Sequence, residues 1–256
     1  MRGMFAVLRK ELTIFVSSPI FYSALFIFLL LTGYFFYSTV VGYSLISLQA
    51  SSNPYLVERL NISDMFLKPF FADIAIILLL MLPLISMRTY AEEKKTGTIE
   101  LLFTYPISDA AVLAGKFAAA IIILIIMLAG TVPSLLLLAS IAKLEWGLVL
   151  SGYLGLMLMG ASFLALGVFA SSITENQIVA AVISFGLLLL FWVLGWGSRL
   201  AGPLMQEVIK QISVVGHLES FVEGLVDTRD LIFYLLFSFF WLFLTLRFLH
   251  SRFWRG

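Results

Sequence analysis

Chemistry needs side chains that can ionise, ligate or attack, and this 256-residue chain holds few of them in useful arrangements. It has no cysteine, which removes disulfides, thiolate ligands and thiol nucleophiles. Its two histidines, His217 and His250, lie far apart, and no H-E-x-x-H spacing surrounds either, so a His-based metal site is not expected. No serine can be paired with a histidine base within the apolar runs. There is no G-x-x-x-x-G-K-[ST], the loop that cradles nucleotide phosphates. Asp73 sits in an apolar run, where an ionisable group raises a functional hypothesis, but it lies within a turn of the run's end and can reach the interface.

The stretch whose pattern does suggest a task runs from Arg88 to Pro106. Charge is concentrated here, at Arg88, Glu92, Glu93, Lys94, Lys95 and Glu100, in a chain of which only 12% is charged. One reading is a solvated loop between two apolar helices. The other is a docking element. After Gly97, Thr98 can cap a short helix in which Ile99, Leu102 and Phe103 fall at i, i+3 and i+4, one apolar face that Pro106 ends. A loop needing only solubility has little use for that ridge, and an exposed apolar ridge usually meets a partner.

The elements that must hold this stretch follow from composition. Hydrophobic residues make up 61% of the chain and mean hydropathy is +1.06. Several runs of about 20 residues lack charge, the length of helix that crosses a bilayer. The expected fold is an all-α integral membrane domain over 1–256 with six transmembrane helices. Spans are predicted at about 20–41, 70–87, 117–141, 146–170, 178–197 and 231–248, with a polar connection from Tyr43 to Pro69 and a coupling loop over 88–116. Residues 4–17 read as an amphipathic elbow helix in the headgroup plane, with Phe5, Leu8, Leu12, Phe15 and Val16 on one face and Arg9, Lys10, Glu11 and Thr13 on the other. Ser108 is a plausible N-cap for the third span, and Pro133 should kink it. Gly152, Gly155, Gly160, Ala161 and Gly167 make the fourth span the one whose neighbours approach most closely.

Residues 198–230 are too polar to span, yet Leu204, Val208, Ile212 and Val215 keep helical time, as do Leu218, Phe221, Val222 and Leu225. Two short amphipathic helices over 201–226, joined at Gly216, would lie on the membrane or dip into it. Asp227 or Thr228 then caps the sixth span. Ten Lys and Arg residues fall on the side of the termini and six on the other. That bias favours cytoplasmic termini and a cytoplasmic 88–116 loop. A net charge of +1 with no basic tail argues against a nucleic-acid partner. With so few ionisable groups in the spans, an ion-coupled carrier and an intramembrane enzyme are both poorly supported.

Ala91-Glu92-Glu93-Lys94, followed by Thr96-Gly97-Thr98-Ile99-Glu100-Leu101-Leu102 and Tyr105-Pro106-Ile107-Ser108, resembles the cytoplasmic signature of ABC-2-type exporter permeases. His217-Leu218-Glu219-Ser220-Phe221 with Gly224 and Val226-Asp227-Thr228-Arg229-Asp230 resembles the outer motif of the gliding-motility-type subgroup. So does Leu246-Arg247-Phe248-Leu249 followed by Arg252, Trp254 and Arg255. Arg9-Lys10-Glu11-Leu12 is similar to the family's elbow, so the resemblance covers essentially the whole chain.

The resemblance implies a transport subunit with no catalytic residue and no cofactor of its own, in the inner membrane of a prokaryote. ATP and magnesium would belong to two separate ATP-binding subunits, and a second permease, identical or homologous, would complete the complex in the lipid. The implied ATPase-docking residues are Glu92, Glu93, Thr96, Thr98, Ile99, Glu100, Leu102, Phe103 and Pro106, with a secondary contact at Glu175. The implied outer re-entrant motif is His217, Glu219, Phe221, Gly224 and Asp227. Cargo would pass between the two permeases, with the outer helices shaping its exit. The same features would serve an alternative, a membrane anchor or mechanical coupling subunit of an ATPase-driven extracytoplasmic assembly.

Overall fold

The computed structural model describes residues 2–50, 63–98, 107–197 and 211–253, all of them helix or short connection. An amphipathic helix, α1 (Arg2–Ser17), turns at Ser18 into the long α2 (Pro19–Ala50). One π-helical turn at Ser63–Leu67 leads into α3 (Lys68–Ser86), and α4 (Arg88–Lys95) follows after a break at Met87. Then come α5 (Asp109–Ala129) and α6 (Val132–Ile141), α7 (Trp146–Ile173), α8 (Gln177–Gly197), the short α9 (Gly216–Val222) and α10 (Thr228–Phe253). Six of the described segments are long and apolar enough to cross a membrane: Pro19–Gln49, Asp64–Lys95, Asp109–Ile141, Trp146–Ile173, Gln177–Gly195 and Thr228–Ser251. The protein is an all-α, multi-pass membrane protein.

The helix at the centre is α7. Lipid gives apolar helices no hydrophobic reason to associate, so close approach and polar contacts must do that work. Glycines on α7 open a notch toward each neighbour in turn. A methyl on Gly152 would meet the Phe71 ring of α3 at 2.5 Å, on Gly155 the Phe221 Cβ of α9 at 2.6 Å, and on Gly160 Leu124 of α5 at 2.7 Å. On Gly167 it would strike Ser86 at the end of α3. Hydroxyls fasten the same surfaces. Ser151 donates to the Phe221 carbonyl (2.6 Å), and Ser162 lies 3.2 Å from the Tyr234 carbonyl and 3.1 Å from Ser238 on α10.

The third crossing is interrupted. Pro133 has no N–H to give a preceding carbonyl, and the helix breaks at Gly130–Thr131 between α5 and α6. The Thr131 hydroxyl repairs part of the loss with bonds to the Leu128 carbonyl and the Tyr153 hydroxyl, both at 2.7 Å.

Several boundaries differ from the sequence expectation. The connection placed at Tyr43 to Pro69 is helical at both ends, because α2 runs on to Ala50. Thr39 and Ser44 turn their hydroxyls back onto the Phe35 and Val41 carbonyls, so these polar residues decorate the helix without ending it. The coupling loop set at 88–116 is likewise helical over Arg88–Lys95 and from Asp109 onward. Ser108 occupies the N-cap position of α5 but makes no side-chain cap bond. The amphipathic face of α1 is also rotated from the one expected. Val7, Glu11 and Phe15 are buried, while Phe5 and Val16 are exposed. The reason is close packing on α5, where a methyl on Gly115 would sit 2.9 Å from Val7. Of the two outer helices, α9 is described, whereas of the first only the end at 211–212 is, and Leu204 and Val208 lie outside the described residues.

Replacing Gly155 with alanine should force α9 off α7 and destabilise the protein by about 1–3 kcal/mol. Gly186 on α8 has no atom within 4 Å of an added methyl. Gly186→Ala should therefore be neutral or slightly stabilising. Unfolding of both variants in detergent checks the contrast.

Candidate functional site

At the end of the bundle carrying α1 and the last turns of α10, a buried ammonium organises three helices. Lys116 lies two turns into α5 with only 1% of its side chain exposed. An unpaired charge there would cost several kcal/mol. Glu11 from α1 meets it at 2.7 Å, Glu93 from α4 at 2.9 Å, and the Thr89 carbonyl accepts a third bond at 2.8 Å. The Tyr90 ring lies 5.1 Å from the same nitrogen, a cation–π distance.

Lys10 completes the network by donating to Glu93 at 2.7 Å. Two ammonium groups thus face two carboxylates and the cluster is neutral. Partial burial opposes the Lys10 charge, but its bond to Glu93 together with the negative charges of Glu93 and Glu11 outweighs this and holds the ammonium above its ordinary pKa. Because the shift is upward, this stabilisation is intact at neutral pH and fades only as pH rises through the raised value.

A second fastening comes from one hydroxyl. The fully buried Ser171 of α7 donates to the Met87 carbonyl (2.7 Å) and accepts from the backbone N–H groups of Tyr90 and Ala91, both at 3.0 Å. Those amides begin α4. Ser171 therefore stands in for partners that a continuous helix would supply itself, at the break between α3 and α4. A side chain inserted in the i→i−4 ladder is a recognised cause of a kink. Lys94 extends the fastening by donating to the Ser172 carbonyl, and its Nζ lies 5.4 Å from the Phe248 ring centre on α10. Arg88 binds Glu92 (2.8 Å) and Ser18 at the α1–α2 turn.

Beyond these contacts α4 stops in a defined way. Gly97 takes φ of +71°, the left-handed conformation that closes a helix, and its N–H bonds the Lys94 carbonyl (3.2 Å). Thr96 and Thr98 share a 2.9 Å hydroxyl contact on the exposed surface just past it. Ile99, Glu100, Leu102, Phe103 and Pro106, the core of the expected docking helix, lie outside the described residues.

Among the expected docking residues, Glu92, Thr96 and Thr98 sit on or near the surface of α4, and Glu175 is exposed in the α7–α8 turn at the same end. Glu93 must be withdrawn from that set. Its carboxylate is buried and committed to Lys10 and Lys116, so it holds the joint together and cannot meet a basic partner. Lys116, Glu11 and Ser171 were not singled out in the sequence. A lysine two turns inside a helix that is otherwise apolar beyond its first turn is the available signal, because such a group needs an acid brought to it. Ser171 left no comparable trace.

The opposite end holds the outer motif. His217 is buried against Phe233 with ring centres 3.9 Å apart, Nδ1 lies 2.6 Å from Asp230 and Nε2 lies 3.2 Å from the Gln211 carbonyl. Both ring nitrogens lie within hydrogen-bond reach of an oxygen. Ser220 donates to the other Asp230 oxygen. Phe221 is fully buried against Gly155. Gly224 (φ +85°) closes α9, with Leu225 N–H on the Ser220 carbonyl at 2.9 Å and Gly224 N–H on the Phe221 carbonyl at 3.2 Å. Asp227 caps α10 through the Arg229 N–H (2.9 Å), which decides between the two expected caps. Glu219 is exposed. These residues make a packed structural corner, and the described residues contain no group of metal-ligating side chains.

A family model described as "ABC-2 family transporter protein" matches residues 5–235, and the chain belongs to that family. It is a permease subunit of an ABC transporter. A search of curated proteins finds no match.

Substituting Lys116 with methionine should leave Glu11 and Glu93 buried beside an apolar side chain and cost about 3–5 kcal/mol. Adding Glu11→Gln to that variant should restore part of the loss, because one of the stranded charges is removed. Thermal unfolding of the detergent-solubilised protein distinguishes the two.

Proposed function

We propose that this chain is the permease half of an ATP-driven exporter or flippase in the inner membrane of a prokaryote, with cytoplasmic termini. It works with two separate ATP-binding subunits and a second permease, identical or homologous. The outer motif and the C-terminal Leu246-Arg247-Phe248-Leu249 favour the gliding-motility-type branch of the family. ATP and magnesium act in the partner, and this subunit turns closure of the ATPase into helix movement.

The observation that carries this reading is the joint around α4. A docking segment that merely hung from the membrane domain would swing without moving anything. Here the helix leading into that segment is tied to α1 and α5 by the Lys10–Glu93–Lys116–Glu11 network and to α7 by Ser171 and Lys94. Force applied beyond Gly97 therefore reaches three helices at once. The ridge of Ile99, Leu102 and Phe103 supplies the grip, with Glu92 and Glu100 meeting basic residues at its rim. The exposed turn at Glu175 and the elbow helix add weaker contacts.

Grip and transmission are separable. Replacing Leu102 and Phe103 together with aspartate should abolish co-purification with the ATPase while the permease stays folded, since burying two such side chains is worth on the order of 2–4 kcal/mol. Normal binding by that double variant would refute the docking assignment. Ser171→Ala removes the hydroxyl at the α3–α4 break and leaves the ridge untouched. It should keep the ATPase bound yet lose the permease-dependent stimulation of ATP hydrolysis.

A further inference from the structure

At the end opposite the joint, α3, α8 and α9 enclose a cavity of about 530 Å³ that the permease reading does not use. We propose that it binds an amphiphilic cation, a bulky apolar body bearing one fixed positive charge. The volume lies within the range of small-molecule sites.

Its wall is apolar and aromatic. Trp192 of α8, 6% exposed, faces Leu218 and Val222 of α9, and Ala72 and Ala75 of α3 keep the space open because they are small. Its rim is acidic. Glu219 on α9 and Glu223 just past its end each follow an inward aliphatic residue by one position, so this segment lays apolar side chains inside the cavity and carboxylates along its edge. Asp64, in the π-helical turn that leads into α3, stands on the same rim.

Charge selects the occupant. Among the described residues, Lys68 is the only basic one lining the cavity, and it is already held by Asp64 at 2.8 Å and Glu223 at 3.0 Å. Three lining carboxylates against one ammonium leave an excess of negative charge. Glu219 has no basic partner among the described residues. An anionic headgroup would have to displace carboxylates from Lys68 and lie beside Glu219, whereas a cation meets Glu219 directly. An indole wall attracts a cation through its ring face, a further preference that an uncharged body of the same shape would not enjoy.

The site does not depend on ATPase docking, so its test and that of the permease assignment can fail separately. The full chain is placed in phosphatidylcholine nanodiscs without any ATPase and incubated with radiolabelled tetraphenylphosphonium. Saturable binding above empty nanodiscs is expected, displaced by unlabelled tetraphenylphosphonium but not by tetraphenylborate, an anion of the same shape. Glu219→Gln changes only an exposed side chain and should weaken binding about fivefold, the equivalent of about 1 kcal/mol. Trp192→Leu keeps the wall apolar, removes the ring face, and should also weaken it. Absence of saturable binding, equal displacement by tetraphenylborate, or unchanged affinity in Glu219→Gln would each overturn the proposal.

Discussion

An ammonium cannot be left alone inside an apolar helix, and Lys116 makes that constraint structural. It is buried on α5, and the carboxylates that neutralise it come from α1 and α4. Three elements separated in sequence are thereby obliged to meet at one point. Glu93 is shared between Lys116 and Lys10, which binds the amphipathic helix from both of its neighbouring residues at positions 10 and 11. Such a network contributes less to net stability than an apolar core of equal volume, because each charge must first be desolvated. What it gives is position, since this arrangement brings a carboxylate to each ammonium.

The rest of the bundle obeys a related rule. Between helices in lipid, association comes from backbone approach and polar contacts. The glycines of α7 admit Phe71, Phe221, Leu124 and Ser86 in succession, while its serines at 151, 162 and 171 bond to backbone groups of α9, α10 and the α3–α4 break. A small residue and a hydroxyl thus alternate in importance along one helix. Ser171 differs from the other two in what it holds. Ser151 and Ser162 brace helix against helix, whereas Ser171 occupies a discontinuity in its neighbour's own hydrogen bonding.

The crossings and the glycine-lined helix could be read from the sequence because each is a local matter. A run of apolar residues or a stripe of small ones needs no knowledge of what lies across the gap. Glu11 shows where that method stops. By periodicity it belongs with Arg9 and Lys10 on a wet face, yet it is buried, because what decides its side is an ammonium over a hundred residues away. Glu93 was misplaced for the same reason, as a surface acid in a charged stretch. The extension of α2 to Ala50 had a different cause. Its hydroxyl residues look like a loop in composition, but they bond back to their own helix.

The segment Asp64–Lys95 connects the two ends of the molecule. It crosses the whole bundle as α3 and α4, with Asp64 and Lys68 on the rim of the outer cavity and Glu93 in the charged joint. Along α3 most side chains are buried and Gly152 and Gly167 of α7 pack against it, while Pro83 interrupts its internal hydrogen bonding. Its described break is at Met87, where Ser171 supplies the missing bonds. A displacement of α4 therefore has two outlets. It can be absorbed at Met87 by loss of the Ser171 contacts, or it can tilt α3 and alter the spacing between Lys68 and the α9 carboxylates.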